Sequence, residues 1–183
     1  MKWNLSNRRV WLFRGLVAIA AILILVSFIM PWWICTISEV PAKDPIRIYG
    51  YGLRHSLVEL RSYIEADETP FYQTVLAWVY LAASVGFLLY STWLKGGKGR
   101  WLLGGIGLIY VAYATIAVTW IAIRTGDFGI SLLGWSSRTY TFVVVSHFAS
   151  LQVGYYLAHG AGLTCIALAL LRNKITGKPK PGT

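Results

Sequence analysis

Charge is what this sequence has little of. Of 183 residues, 13% are charged, against about 25% in a soluble domain. Only seven are acids. No Asp, Glu, Lys or Arg falls inside four apolar runs: Gly15–Ile34, Phe71–Leu94, Trp101–Ile123 and Val143–Leu171. Proton pumps, voltage sensors and ion-coupled transporters place such groups near the membrane midplane, so their absence argues against those classes. Cysteine is also scarce. Cys35 and Cys165 are the only two, and no C-x-x-C exists for thiol–disulfide exchange. On a four-helix reading they lie most of a ~30 Å bilayer core apart, beyond the ~7 Å reach of a disulfide, so two free thiols are expected. No G-x-S-x-G, H-E-x-x-H or P-loop occurs.

What is present is apolar: 56% of the residues are hydrophobic. Each run meets the roughly 20 residues that one helix needs to cross a bilayer. The first ends in Pro31-Trp32-Trp33-Ile34 with no small-residue cleavage site, so it is read as a retained anchor rather than a signal peptide. The expected fold class is all-α membrane. It is a single domain of four transmembrane helices over about 13–34, 71–94, 101–124 and 147–171, with a small extracytoplasmic cap.

Charge distribution orients this bundle. The segments before helix 1, between helices 2 and 3, and after helix 4 hold Lys2, Arg8, Arg9, Arg14, Lys95, Lys98, Arg100, Arg172, Lys174, Lys178 and Lys180, with no acid. Loops 35–69 and 125–146 hold all seven acids. Basic segments stay on the cytoplasmic side. The expectation is a multi-pass cell-membrane protein with both termini cytoplasmic. Its net charge of +10 faces an anionic inner leaflet, not nucleic acid. Trp11, Trp93 and Trp101 would mark the inner boundary, and Trp32, Trp33 and Trp120 the outer one. The tail RNKITGKPKPGT, 172–183, lacks apolar periodicity and is expected to be disordered or lipid-bound.

The outer loops carry local signals. Ile34–Val40 and Ile46–Tyr51 flank a Pro-bounded turn and predict a β-hairpin. Leu53, Leu57, Leu60 and Ile64 recur at i, i+4, i+7 and i+11, one stripe of a short amphipathic helix. That stripe must be covered by loop 2, the bilayer surface or a partner. In loop 2, Arg138–Val145 is read either as a strand joining the hairpin in a small sheet, or with Thr141–Val145 as the start of helix 4. Four helices, cytoplasmic ends and a larger first outer loop resemble the claudin-like tetraspan proteins. That family carries a Trp and a Cys pair in this loop. Here Trp32, Trp33 and Cys35 stand at its start and no second Cys follows. The resemblance covers helix order and loop lengths and implies a sheet in the first loop.

Few residues suggest chemistry. His147 and His159 are about 18 Å apart along one helix, so they cannot share one haem iron. His159 lies beside Tyr155, Tyr156 and Gln152 at i−4, i−3 and i−7, a polar patch inside the membrane with the chemistry for a quinone or lipid. A neutral His bonded to a tyrosine or carbonyl is the plainer outcome. His55 and Glu59 share a helix face at i, i+4, which is also an ordinary surface pair. Gly104, Gly107, Val111 and Ala114, and again Gly154, Ala158, Ala161 and Cys165, make small-residue stripes along which helices approach closely. Together these predict a non-enzymatic tetraspan accessory, organising or assembly subunit. It would act by contacts with a membrane-protein partner or a second copy, with Leu53, Leu57, Leu60 and Ile64 as the contact stripe and no required cofactor. The alternative is a small anchor subunit of a respiratory complex, binding quinone or lipid near His159.

Overall fold

A computed structural model describes residues 5–37, 46–54, 70–94, 97–127, 129–140 and 143–177. Its helices are α1 (Leu5–Ile29), α2 (Phe71–Ser91), α3 (Gly97–Asp127) and α4 (Val153–Thr176). All four are long and apolar enough to cross a membrane. On α3, Trp101 and Trp120 are both exposed. Nineteen residues of helix separate them by about 28 Å, close to the roughly 30 Å of bilayer hydrocarbon.

Two apolar runs do not stay helical. α1 stops at Ile29 instead of 34, its last backbone bond running from Met30 N to Val26 O at 3.1 Å. Pro31 explains the stop: it has no N–H to donate, and it disfavours helical backbone in the residue before it. The aromatic and β-branched stretch that follows is a strand, β1 (Pro31–Ile37). Likewise α4 begins at Val153 rather than near 147, because Val143–Leu151 is a strand. With β2 (Ile46–Tyr49), β3 (Gly52–Arg54), β4 (Gly134–Tyr140) and β5 (Val143–Leu151), the chain forms one antiparallel sheet in the order β3-β2-β1-β5-β4.

This sheet overturns the expected all-α bundle with a small hairpin-and-helix cap. The loop 1 hairpin is present as β1 on β2, with Ile34 opposite Arg47 and Cys35 opposite Ile46. But β1 is the centre of a larger sheet, and Cys35 also faces Ala149 of β5. Loop 2 contributes two paired strands, with Tyr140 opposite Val143, so Arg138–Tyr140 belongs to β4 and Val143–Val145 to β5, neither one strand nor the start of a helix. Leu53, expected to begin an amphipathic helix, lies in β3 opposite Ile48. The tail expected to be disordered or lipid-bound from residue 172 is instead helical as far as Thr176, the end of α4; the rest of the predicted amphipathic helix and residues 178–183 lie outside the described residues.

Alternation of side chains divides the packing into two cores. Along β1 and β5, Trp33, Cys35, Ile37, His147 and Ala149 are buried. All but His147 join Val118 and Ile121 of α3 and Ile130 in one cluster. The C-terminal end of α3 is therefore the post on which the sheet rests. The second core fills the bundle with Phe13, Ile24 and Phe28 of α1, Leu88 of α2, Tyr110 of α3 and Cys165 of α4. Trp32 and Trp33 point to opposite faces, as successive residues of a strand do, beside a register shift between Pro31 and Trp33. Trp32 enters the bundle core and Trp33 the sheet core. Their indole N–H groups donate to Ser27 O at 2.6 Å and Leu132 O at 2.9 Å. Trp32 and Trp33 are thus internal struts, buried among protein side chains.

Candidate functional site

The sheet meets the bundle through the turn between β2 and β3. Tyr49 pairs with Gly52, leaving Gly50 and Tyr51 as a two-residue turn. Gly52 has φ 133°, a value open to glycine and costly to other residues. Gly50 is buried against Phe28 of α1, where a Cβ would come 2.6 Å from the ring. Its carbonyl accepts a hydrogen bond from the Tyr113 hydroxyl of α3 at 2.5 Å. The flanking rings form a ladder: Tyr49 stacks on Tyr51 at 5.0 Å, Tyr51 on Trp78 of α2 at 5.6 Å, and Trp78 meets the edge of Phe28 at 5.2 Å. The Arg54 guanidinium sits 5.8 Å from the Tyr51 ring. Burial and neighbouring Tyr49 push the Tyr51 phenol up, and Arg54 pulls it the other way. Three helices and two strands are tied together at this one turn.

The opposite face of the sheet is turned away from the helices. Trp135 on β4 is 72% exposed and pairs with Phe148 on β5, rings 5.1 Å apart. Across the sheet, Arg47 and Arg54 lie directly opposite one another on β2 and β3, both exposed. Register places all four on one face, through Arg47–Ile34, Ile34–Ser150 and Phe148–Trp135. Like charges directly opposite are destabilising. A face with two such arginines at one end and an open aromatic pair at the other suits contact more than packing. β4 is also an edge of the sheet, and an edge strand presents unpaired backbone N–H and C=O groups.

Among the described residues, the sequence-predicted site residues lie in several places. His159 Nδ1 lies 3.1 Å from Tyr155 O and Nε2 3.2 Å from Thr115 Oγ1. A carbonyl only accepts, so Nδ1 carries the hydrogen. The Tyr155 ring lies 4.4 Å from the imidazole, while Tyr156 is exposed. Gln152 stands at the N-cap of α4, its amide donating to Ser150 Oγ at 2.6 Å. Leu53 packs at the margin of the sheet core; Leu57, Leu60, Ile64, His55 and Glu59 lie outside the described residues. His147 is buried in β5. The free thiols of Cys35 and Cys165 are in different cores, and burial raises the Cys35 thiol to about 11.

The small-residue stripes of α3 and α4 do meet. A Cβ on Gly107 would reach Gly162 O at 2.6 Å and Cys165 Cβ at 2.8 Å, and one on Gly104 would reach Ala169 Cβ at 3.3 Å. Gly154 instead abuts the α1–β1 junction, near Met30 O and Pro31 O. Sequence reasoning missed Gly162, although its spacing three residues before Cys165 carried the same signal. It also missed the buried polar knot in the bundle. Ser27 Oγ donates to Ile24 O at 2.8 Å and lies 2.7 Å from the Tyr110 hydroxyl. In an apolar setting such bonds hold helices in register. No family model matches this chain, and no curated protein matches it significantly.

Proposed function

We propose that this chain is a non-enzymatic tetraspan membrane subunit that works by contact, with the sheet as its recognition surface. Both termini lie on the cytoplasmic side and the sheet lies outside. The observation that carries the reading is the outer face itself: exposed Trp135 paired with Phe148 at one end, and Arg47 opposite Arg54 at the other. Such a surface suits a membrane-protein partner or second copy offering apolar and acidic groups. Aromatic and arginine side chains are the ones that most often dominate interface energetics. The orientation rests on the bases of the helix-connecting and terminal segments, which stay cytoplasmic during insertion.

The redox-subunit alternative has less support. It needs His159, Gln152 and Tyr156 to converge on one ligand, whereas His159 and Gln152 are engaged by Thr115, Tyr155 and Ser150.

A photo-crosslinking residue at position 135 tests the contact reading in native membranes. The expected result is a discrete protein adduct that Arg47→Glu weakens. Lipid-only adducts, or a partner set that ignores both changes, would count against the sheet as the working surface. A cysteine at Ser137 should react with an impermeant maleimide on intact cells; protection until lysis would invert the topology.

A further inference from the structure

The two edges of the sheet are built differently. One edge, β3, is three residues long and sets Arg54 directly opposite Arg47. A short strand and facing like charges both blunt an edge against further pairing. The other edge, β4, is seven residues long and reads GWSSRTY. It holds no Pro, Lys, Asp or Glu. Its single charge is drawn back toward the end of α3: Arg138 Nη1 donates to Asp127 O at 3.4 Å, and the side chain lies against Gly129. Trp135, Ser137, Arg138 and Thr139 are exposed.

One backbone bond fixes which groups of β4 face outward. Gln152 N donates to Trp32 O at 2.8 Å, so the backbone at Gln152 turns toward β1. Backbone groups along a strand point to alternate sides. Counting back by twos, Ser150, Phe148, Ser146 and Val144 face β1, while Ala149, His147, Val145 and Val143 face β4. Both registers run along β5 without a shift. The residues opposite that second set, Gly134, Ser136, Arg138 and Tyr140, supply β4's half of the ladder. Trp135, Ser137 and Thr139 therefore direct their N–H and C=O groups away from the sheet. Among the described residues nothing bonds to these groups.

We propose that β4 is a strand-addition site that takes an extended segment of a partner protein. The inference rests on the sheet being the recognition surface. The added segment bonds through its backbone to Trp135, Ser137 and Thr139, the mode by which exposed sheet edges capture peptides. Beside Trp135 it places an aromatic or β-branched side chain, a pairing that stabilises neighbouring strands. It needs no charge there, because Ser137 and Thr139 offer none. The site extends the open Trp135–Phe148 pair to the edge of the sheet. A second copy does not fit it. Antiparallel pairing of β4 with itself requires a two-fold axis perpendicular to the sheet. The sheet's inner face lies on the flank of α3, at Val118 and Ile121, so that axis crosses α3 and turns the second bundle over in the membrane.

The test uses the full-length protein in native membranes, with a photo-crosslinking aromatic residue in place of Trp135. Ser137→Pro removes an outward N–H, a change that an edge strand tolerates. It should melt with the wild type and cut the protein adduct about tenfold, as expected when a bond is lost and its acceptor left unpaired. Ser137→Ala keeps the N–H and should keep the adduct. Should Ser137→Pro fail to fold, Thr139→Pro decides. In the purified protein, the amides of Ser137 and Thr139 should exchange hydrogen far faster than those of Ser136 and Arg138. Equal protection of all four would overturn the free edge. An adduct that survives proline, or that is lost equally in Ser137→Ala, would overturn strand addition and leave the sheet's face as the contact surface. No protein adduct in the wild type would overturn both readings. An adduct joining two copies of this chain would overturn the choice of partner.

Discussion

Adding one methyl group to α3 should have opposite consequences two residues apart. At Gly105 a Cβ meets nothing within 4 Å. Ala is favoured over Gly in a helix by about 1 kcal/mol, so Gly105→Ala should stabilise. At Gly107 the same Cβ lies 2.6 Å from Gly162 O. A comfortable C···O approach is roughly 3.3 Å, so α3 and α4 must part by about 0.7 Å. A gap of that size forfeits about a quarter to a half of each pairwise attraction along the seam. The two nearest partners are the backbone oxygen of Gly162 and the Cβ of Cys165, which cannot yield without moving the helix, and the third is Ile166 Cγ1 at 3.0 Å. Overpacking of this kind costs about 1–3 kcal/mol. The helix preference is common to both variants and cancels in their difference. Gly107→Ala should therefore be less stable than Gly105→Ala by about 1–3 kcal/mol. Reversible unfolding of both in the same detergent measures that difference. Equal stabilities would refute the claim that α3 and α4 are held at glycine contact distance.

Other consequences are equally specific. Tyr113→Phe removes the bond to Gly50 O and should cost about 1 kcal/mol, with faster amide exchange confined to residues 48–52 and no change in helix content. The buried Cys35 thiol rises from 9.0 to about 11, so the folded state disfavours the thiolate. Its contribution to stability is full below pH 9 and is lost as pH rises through about 11; a pH titration of stability should show this loss in the wild type and not in Cys35→Ala. At neutral pH, iodoacetamide should spare Cys35 until the protein unfolds.

Several features were legible along the chain because their causes are local. The β-branched and aromatic residues around the Pro-bounded turn marked a hairpin, found as β1 on β2. The close approach of α3 and α4 was visible as Gly104 and Gly107 facing a row of small residues. The strands at 31–37 and 143–151 were hidden for a physical reason. Both faces of these strands carry apolar residues, the exposed Val144 and Phe148 as well as the buried Ala149, so the run shows no period and reads alike as helix or strand. The one local clue, Pro31, lay inside a run taken as continuous. His159 was correctly marked as polar in an apolar helix, but its partner Thr115 comes from a different helix.

Sequence by itself therefore determined that four segments are apolar enough to span, and that all the acids fall in two connecting segments while the alternate segments hold bases alone. Backbone in hydrocarbon must satisfy its own hydrogen bonds, which makes each such segment a helix wherever lipid surrounds it. Tertiary structure decided where lipid stops mattering. At residues 31–37 and 143–151 the backbone finds partners in another strand, with Ile34 opposite Ser150 and Cys35 opposite Ala149. Those partners are more than a hundred residues away, and only the packing of α1 against α4 brings the ends of those helices together.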